Sequence, residues 1–201
     1  MGAGPVRLVV ATANPDKAAE IEAILSESLG RAVELLPRPP EVPEVQETGA
    51  SLDENALLKS SALTLATGTA AIADDTGLEV RFLGGAPGVL SARYAGEEAS
   101  YADNVAKLLA AMGGAGDRRA RFRTVVSVSY PDGTHLSAEG AVDGTIAVQA
   151  RGDGGFGYDP VFVPDGGLGR TFAEMAPAAK HAISHRARAL RALAPLLLDP
   201  R

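Results

Sequence analysis

Two adjacent aspartates stand inside an otherwise apolar segment. Asp74 and Asp75 belong to residues 73–77 (ADDTG), between the apolar residues 70–72 and a strand-like run over residues 78–82. Burying a carboxylate is costly unless a cation or hydrogen bonds compensate. One interpretation is a turn, because Asp, Thr and Gly are ordinary turn residues. The other is a metal-dependent hydrolytic site, at which paired carboxylates hold a cation.

A second candidate site lies where the first apolar segment ends. Residues 12–17 (TANPDK) follow a buried strand predicted over residues 6–11 and open a helix. The N–H groups and partial positive charge of a helix start favour a bound phosphate. Lys17 is one of only four lysines among 19 basic residues, and lysine supplies a compact point charge. The alternative is that Asn14 or Asp16 only caps the helix.

A third group of polar residues surrounds a predicted capping box. Ser51 is the expected N-cap of a helix, and Glu54 is expected to reach back towards it. Glu47 precedes this helix in a loop, where its carboxylate is available to a metal. Lys59 lies four residues after Asn55 and five after Glu54, so all three can share one helix face. The alternative is an ordinary capped helix that carries a polar pair.

Two aromatic residues stand close together in a glycine-rich loop. Residues 155–159 (GFGYD) include Phe156 and Tyr158, which are two of only nine Phe and Tyr residues. Such rings favour base stacking, worth about 1–3 kcal/mol per base; alternatively they cover an edge of the core. The G-x-G-x-x-G pattern around them is not a dinucleotide fingerprint, because Pro160 follows where a helix would have to begin.

A fourth group opens the last predicted helix. In residues 180–186 (KHAISHR), Lys180, Ser184 and His185 are expected on roughly one side of that helix. His185 and Arg186 are suited to donate hydrogen bonds to a base carbonyl. The alternative is a polar helix entrance beside the core.

The elements that position these groups predict a mixed α/β fold. The sequence predicts an irregular segment over residues 35–45 and a loop over residues 152–169. Helices are predicted over about residues 16–29, 51–66, 100–112 and 182–193, and strands over residues 6–11, 70–73, 78–83, 121–130, 134–142 and 145–150. Asp143-Gly144 is expected to turn the last two strands. Residues 1–201 form one domain in this interpretation, and residues around 84–150 could form a smaller lobe.

Composition excludes several classes of function. The net charge of −6 disfavours nucleic-acid binding, which requires a basic surface. The absence of cysteine excludes disulfides, thiolate metal sites and a cysteine nucleophile. No apolar run approaches the roughly 18 residues of a membrane span. The sequence therefore predicts a cytoplasmic protein that binds neither nucleic acid nor membranes.

Taken together and in this order, the groups resemble the inosine triphosphate pyrophosphatase family. The similarity runs nearly end to end. It rests on Thr12-x-Asn14-x-x-Lys17, Glu47-Thr48-Gly49, Glu54-Asn55-Ala56-x-x-Lys59, Ala73-Asp74-Asp75-Thr76-Gly77-Leu78, Gly85-Ala86-Pro87-Gly88-x-x-Ser91-Ala92-Arg93-Tyr94, Gly154-Gly155-Phe156-Gly157-Tyr158-Asp159-Pro160 and Ser184-His185-Arg186. Thr76 departs mildly from the serine that many relatives have, and it retains the hydroxyl.

The resemblance implies an elongated mixed-sheet α/β fold of two lobes with a central substrate cleft, usually in a homodimer. It implies Mg²⁺-dependent hydrolysis of dITP, ITP and XTP to the monophosphate and pyrophosphate. The metal carboxylates would be Glu47 and Asp75, with Asp75 also the catalytic base. Glu54 is the alternative to Glu47, because prolines over residues 37–45 affect the approach to Glu47. Substrate would bind to Thr12, Ala13, Asn14, Pro15, Asp16, Lys17, Lys59, Thr76, Phe156, Gly157, Tyr158, Asp159, Lys180, His185 and Arg186.

Two other functions compete with this interpretation. One is a pyrophosphatase for modified pyrimidine nucleotides, against which the Phe156 loop and the pair His185-Arg186 argue. The other is a non-catalytic nucleotide sensor, against which the intact pair Asp74-Asp75 argues. Base selection follows from hydrogen bonding, because donors that face a 6-keto oxygen are mismatched to the 6-amino group of adenine.

Overall fold

The protein is described by a computed structural model over residues 4–198. Its strands are β1 (Val6–Val10), β2 (Val33–Leu36), β3 (Ala71–Val80), β4 (Pro87–Gly88), β5 (Arg119–Ser129), β6 (His135–Ile146) and β7 (Phe162–Pro164). Its α-helices are α1 (Pro15–Leu29), α2 (Leu52–Thr67), α3 (Tyr101–Ala111), α4 (Pro177–Ile183) and α5 (His185–Leu198). Within the described range, no helix is both long and apolar enough to cross a membrane.

The strands form one mixed sheet, which confirms the predicted α/β class. The order is β2-β1-β3-β5-β6-β7, and β4 pairs with β3 outside this path. β1 runs parallel to both β2 and β3, whereas β6 and β7 are antiparallel. The end of β1 pairs with the beginning of β3, because Val9 and Val10 lie opposite Ala71 and Ile72. The loop after β1 and the aspartates of β3 therefore lie near each other.

The helix starts follow local capping signals. Asn14 caps α1, and its side chain accepts hydrogen bonds from the N–H groups of Asp16 and Lys17. Ser51 caps α2 by accepting from the N–H group of Glu54, as the sequence predicts. Ser100 and Asp103 form a reciprocal capping box at α3. These contacts satisfy backbone donors that have no partner within the helix.

The chain is divided into two compact units, and the first contains residues 4–75, 124–140 and 186–198. Its core lies among β1, β3, β5, α1 and α5. The residues at its centre are fully buried and aliphatic, and they include Leu8, Ile21, Ile24, Ile72, Val126 and Leu190. The helical spacing of the apolar residues in α1 thus buries one face of that helix.

The second unit contains residues 76–123 and 141–185. Its core is richer in aromatic side chains. Phe122 packs edge-on against Phe162, with ring centroids 4.7 Å apart, and Phe172 lies 5.3 Å from Phe162. Leu78, Leu108, Met112 and Val161 complete this cluster.

Two segments of turn-forming residue types lie inside strands. Residues 73–77 belong to β3, which continues without a break where two strands were predicted. Asp143 and Gly144 likewise lie within β6. Gly144 is required there for close packing, because a Cβ atom would lie 2.3 Å from the carbonyl oxygen of Val163 in β7. Turn-forming residue types were therefore overridden by strand pairing.

Three further boundaries differ from the prediction. Residues 33–36 form the edge strand β2, and β7 lies inside the predicted loop over residues 152–169. The last predicted helix is two helices, α4 and α5, separated by Ser184 in extended conformation with ψ 154°. Lys180 and His185 therefore lie on different helices and not on one helical side.

Candidate functional site

The two aspartates of β3 have different partners. Asp74 is 2% exposed and accepts hydrogen bonds from Arg186, whereas Asp75 is 4% exposed and accepts from Lys59 and Asn55. Neighbouring residues of a strand point to opposite faces, which gives the two carboxylates different surroundings. Each carboxylate is buried together with a cationic partner, which offsets the cost of removing it from water.

Lys59 joins the two carboxylates that were predicted to bind metal. Its ammonium nitrogen lies 2.8 Å from Asp75 Oδ1 and 2.9 Å from Glu47 Oε1. Asn55 donates from Nδ2 to Asp75 Oδ2 at 3.3 Å. Because Lys59 and Asn55 lie one turn apart on α2, the helix presents both to Asp75.

The protonation of this group reflects burial and charge. Burial raises the pKa of Asp75, and Glu47 adds to that effect, while Lys59 and Lys17 oppose it. Burial by itself would lower the pKa of Lys59, but Asp75, Asp74 and Glu47 outweigh it and leave that pKa raised. Asp75 is therefore a stronger base than an ordinary aspartate, and Lys59 is a stable cation.

Glu47 and Asp75 suit a magnesium ion. Both carboxylates approach the single Lys59 ammonium within hydrogen-bonding distance, so they can serve one cation together. Among residues 4–198, no cluster of three or more His, Asp or Glu side chains could hold a metal. Mg²⁺ is commonly held by one or two carboxylates together with waters and substrate phosphates, so two carboxylates match its needs.

Glu54, the alternative metal ligand, has another contact. Its Oε2 accepts the N–H group of Ala50 at 2.6 Å, one residue before the expected N-cap partner Ser51. The carboxylate thus stabilises the loop that enters α2. Glu47, beside Lys59, is therefore the better candidate for a second metal ligand.

The loop that carries Glu47 is tied to Asn55 through Gly49. The N–H group of Gly49 donates to Asn55 Oδ1 at 2.8 Å. A Cβ atom on Gly49 would lie 2.6 Å from Asn55 Oδ1 and 2.7 Å from the Cβ of Glu54. Only glycine fits this approach without displacing the side chain that supports Asp75.

Replacing Gly49 by alanine is therefore expected to destabilise the protein by about 1–3 kcal/mol, the usual cost of overpacking. Gly116→Ala is the matched control, because nothing lies within 4 Å of its Cβ position. That control should change the free energy of unfolding by less than about 0.5 kcal/mol. Urea denaturation measures both values, and equal stability of the two variants would contradict the packing argument.

A separate buried network surrounds Asp74. Arg186 is 2% exposed and donates from Nη2 to Asp74 Oδ2 at 3.0 Å and from Nη1 to Glu20 Oε2 at 2.5 Å. Lys17 Nζ lies 3.4 Å from the same oxygen of Asp74. Arg186, predicted to read a base, is thus bound by two carboxylates inside the first unit.

Charge pairing sets the protonation of this network as well. Burial would raise the pKa of Asp74, but Lys17, Arg186 and Lys59 outweigh it and hold that pKa far below its ordinary value. Burial lowers the pKa of Lys17, which the Asp74 carboxylate only partly offsets. Asp74 is therefore a permanent anion.

Residues 12–17 adopt the predicted turn from strand to helix. Asn14 Oδ1 accepts the N–H groups of Asp16 at 2.9 Å and Lys17 at 3.2 Å. The N–H group of Asn14 donates to Thr12 Oγ1 at 3.1 Å. Ala13 and Pro15 complete this turn, with Pro15 at the first helical position. The capping interpretation holds for Asn14, and phosphate binding by this segment stays a prediction.

In the second unit, Asp159 organises the aromatic loop. Its Oδ2 accepts the N–H group of Phe156 at 2.9 Å and the ammonium of Lys180 at 2.6 Å. That ammonium lies 4.8 Å from the centroid of the Phe156 ring. Gly157 has φ +60°, which allows the loop to turn after Phe156. Phe156 remains half-buried, with a positive charge over its face.

The other predicted residues of the second unit are placed in its interior. Tyr158 is 5% exposed and donates its hydroxyl to the carbonyl of Ser91 at 2.9 Å. His185 is 3% exposed and stacks on Phe122 at 4.5 Å. Thr76 follows Asp75 in β3 and is half-buried. Of the two predicted aromatics, Phe156 is the more accessible.

Two residues that contact the predicted site residues were not predicted from the sequence. Glu20 contacts Arg186. The sequence signal for it is that this acidic residue stands on the apolar stripe of α1, three positions after Lys17. Tyr101 at the start of α3 places its ring 6.0 Å from that of Phe156. No local pattern connects Tyr101 with Phe156, because they are distant in the chain.

Comparison with known proteins gives matches over nearly the whole chain. The sequence profile of the Ham1 family matches residues 8–196. The dITP/XTP pyrophosphatase of Mycobacteroides abscessus is 46% identical over 196 residues, covering 96% of this chain and 95% of that protein. The dITP/XTP pyrophosphatase of Streptomyces coelicolor is 45% identical over 197 residues, covering 96% and 98%.

Solved structures agree with these matches. A HAM1 protein from Coxiella burnetii superposes with a TM-score of 0.85 at 38% identity, covering 96% of this chain and 98% of that one. A nucleoside-triphosphatase / dITP/XTP pyrophosphatase from Mycobacterium abscessus gives a TM-score of 0.74 at 45% identity, covering 95% and 99%.

Proposed function

The chain belongs to the Ham1 family, and on this premise we propose that it hydrolyses the non-standard purine nucleotides dITP, ITP and XTP. The products are the nucleoside monophosphate and pyrophosphate, and the reaction removes these nucleotides from the nucleotide pool. Relatives that are 44–49% identical are named dITP/XTP pyrophosphatases, which supports the substrate class. The predicted resemblance to inosine triphosphate pyrophosphatases supports the same reaction.

The observation that carries the proposal is the group formed by Glu47, Lys59 and Asp75. The Lys59 ammonium on α2 lies within 2.9 Å of one oxygen of each carboxylate, that of Asp75 in β3 and that of Glu47 in the loop before α2. With Lys59 counted, the three side chains carry one excess negative charge. A divalent cation with a triphosphate suits this arrangement, because the cation balances the carboxylates and Lys59 balances phosphate.

Glu47 and Asp75 would hold Mg²⁺. When bound, Mg²⁺ supplies stabilisation for the charge that develops on phosphate oxygens. The Asp75 carboxylate is proposed to accept the proton of the attacking water, and its raised pKa favours this role. The oxygen of that water forms the new bond to phosphorus as the anhydride bond breaks. Lys17 and Lys59 are proposed to neutralise the triphosphate.

The aromatic loop of the second unit is proposed to bind the base. Phe156 offers a ring for stacking, and Tyr101 supports that ring. Lys180, held by Asp159, places a hydrogen-bond donor beside the ring. A donor there favours a keto oxygen over the 6-amino group of adenine.

A substrate panel tests the proposed function. Purified protein is incubated with Mg²⁺ and XTP, ITP, dITP, ATP, GTP or dTTP, with and without EDTA, and pyrophosphate and orthophosphate are quantified. We expect pyrophosphate from the first three, little from the others, and none with EDTA. Orthophosphate as the first product, or equal turnover of ATP, would contradict the proposal.

The same panel separates the two alternatives. Turnover of dTTP or a modified pyrimidine nucleotide above XTP would identify a pyrimidine pyrophosphatase. Tight binding of ITP without any product would identify a sensor. Assembly as a homodimer and a cytoplasmic location remain part of the proposal, and light scattering of the purified protein tests the first.

A further inference from the structure

The loop that carries Phe156 is rich in glycine. It runs over residues 152–159, and its ends are joined where the N–H group of Arg151 donates to the carbonyl oxygen of Pro160 at 2.9 Å. Half of its residues are glycine, and three of these have positive φ angles. Glycine populates many backbone conformations and brings no side chain to packing. The loop therefore depends on neighbouring segments, among them the turn over residues 171–174, to fix the position of Phe156.

This turn contacts the loop at both of its ends. Thr171 Oγ1 donates to the carbonyl oxygen of Arg151 at 2.9 Å. The N–H group of Ala173 donates to the carbonyl oxygen of Asp159 at 3.2 Å. A Cβ atom on Gly152 would lie 2.5 Å from the carbonyl carbon of Ala173, so the two backbones are in direct contact. The turn is thus a support on which the loop rests.

Thr171 joins the turn to the loop. It is 0% exposed, and both of its donors are used. Its N–H group donates to Glu174 Oε2 at 2.8 Å within the turn, whereas its hydroxyl donates to Arg151 at the start of the loop. A buried hydroxyl is costly unless it is hydrogen-bonded, and here its bond crosses to another segment. Loss of the hydroxyl would leave the turn intact and release the start of the loop.

The same turn borders the lysine of the base-binding group. The ring of Phe172 is fully buried, and its centroid lies 5.8 Å from Lys180 Nζ. That ammonium also lies 4.8 Å from the centroid of Phe156 and donates to Asp159. A shift of the turn against the loop would therefore move the stacking ring relative to the hydrogen-bond donor beside it.

We propose that Thr171 is a positioning residue for the base, which acts through the carbonyl group of Arg151 to hold Phe156 beside Lys180. The inference rests on the proposed function, because that function assigns base binding to this loop. Thr171 lies outside the motifs that carry the family resemblance. Since it acts on the base and not on the phosphates, its loss should weaken binding of nucleotides and leave binding of inorganic triphosphate unchanged.

The test compares Thr171→Val with Thr64→Val. Valine has nearly the shape of threonine but lacks the hydroxyl donor. Thr64 is the matched control, because it is also buried and its Oγ1 donates to the carbonyl oxygen of Ser129 at 3.0 Å in the first unit. With Mg²⁺ present, kcat and KM are measured for XTP and ITP, and inorganic triphosphate is titrated as an inhibitor. The assay temperature is one at which circular dichroism shows every variant to be folded.

We expect Thr171→Val to raise KM for XTP and ITP by about tenfold, the effect of one lost hydrogen bond on affinity. Its kcat should stay within about twofold of wild type, because stacking of the base acts equally in the ground and transition states. Thr171→Ala should behave in the same way, whereas Thr171→Ser keeps the hydroxyl and should recover most of the affinity. Thr64→Val should lose stability but keep KM within about twofold. Inhibition by inorganic triphosphate, which has no base, should be the same in all variants.

Three results would overturn the inference. Normal KM with a lowered unfolding temperature in Thr171→Val and Thr171→Ala would show a purely structural role. Weaker inhibition by inorganic triphosphate, by the same factor as the rise in KM, would show a disturbance that is not specific to the base. Equal loss in Thr171→Ser and Thr171→Val would show that the hydroxyl is irrelevant. Failure of the wild-type protein to hydrolyse XTP would instead refute the proposed function.

Discussion

Asp75→Asn is expected to lower kcat for XTP by about 10³-fold, within the range that a lost general base produces. The amide has nearly the shape of the carboxylate, and its oxygen still accepts a hydrogen bond from one of the two donors on α2, Lys59 or Asn55. It cannot accept the proton of the attacking water, and it is a weaker ligand for Mg²⁺ than a carboxylate. Pyrophosphate release under saturating XTP measures the effect.

The unfolding temperature distinguishes a loss of catalysis in Asp75→Asn from misfolding of that variant. Because the pKa of Asp75 is raised in the folded protein, its contribution to stability is present at low pH and lost as pH rises through that pKa. At neutral pH the ionised carboxylate therefore costs stability, and Asp75→Asn should unfold at the same temperature as wild type or higher. Asp53→Asn, at the exposed start of α2, is the control and should keep nearly full turnover. Substantial turnover by Asp75→Asn would exclude Asp75 as the base.

Asp74→Ala is expected to lower the free energy of unfolding by about 3–5 kcal/mol, the cost of removing one partner from a buried ion pair. Arg186 would keep Glu20 but lose two hydrogen bonds, and Lys17 would lose its nearest carboxylate. Asp143→Ala is the control, because Asp143 pairs with Arg121 in an exposed position. An exposed pair of this kind contributes at most about 1 kcal/mol.

The pH dependence of stability provides a second test of Asp74. The pKa of Asp74 in the folded protein is far below the unfolded value of 3.8. The stability that ionised Asp74 contributes is therefore present above pH 3.8 and is lost as the pH falls below that value. Wild-type protein should therefore lose stability as pH falls below about 5, and Asp74→Ala should show a smaller loss. Urea denaturation between neutral and acidic pH measures the difference. Parallel curves for the two proteins would show that Asp74 is not the stabilising anion.

The sequence identified the local features of this protein well. The caps at Asn14, Ser51 and Ser100 depend on contacts within three residues, so a short window contains all the information they need. The mixed α/β class follows from the sequence because segments with strand-like and helix-like spacing of apolar residues follow one another along the chain. The family followed from the order of the motifs, and the profile match confirms it.

Local residue types gave the wrong prediction where a segment pairs with strands that are distant in the chain. Residues 73–77 have turn-forming types, yet pairing with neighbouring strands keeps them in β3. Gly144 was expected in a turn, but the close approach of β7 requires a glycine within β6. Strand pairing supplies hydrogen bonds to a whole segment, which outweighs the turn preference of two or three residues.

At the candidate site, the sequence by itself determined which residue types are present, and the tertiary structure decided how they are paired. Lys59 and Asn55 share a helix face for local reasons, but Arg186 meets Asp74 across 112 residues and Glu20 across 166. Such contacts arise only when α1, β3 and α5 pack together. Charge pairing depends on distances between atoms, and for residues far apart in the chain the fold alone sets those distances.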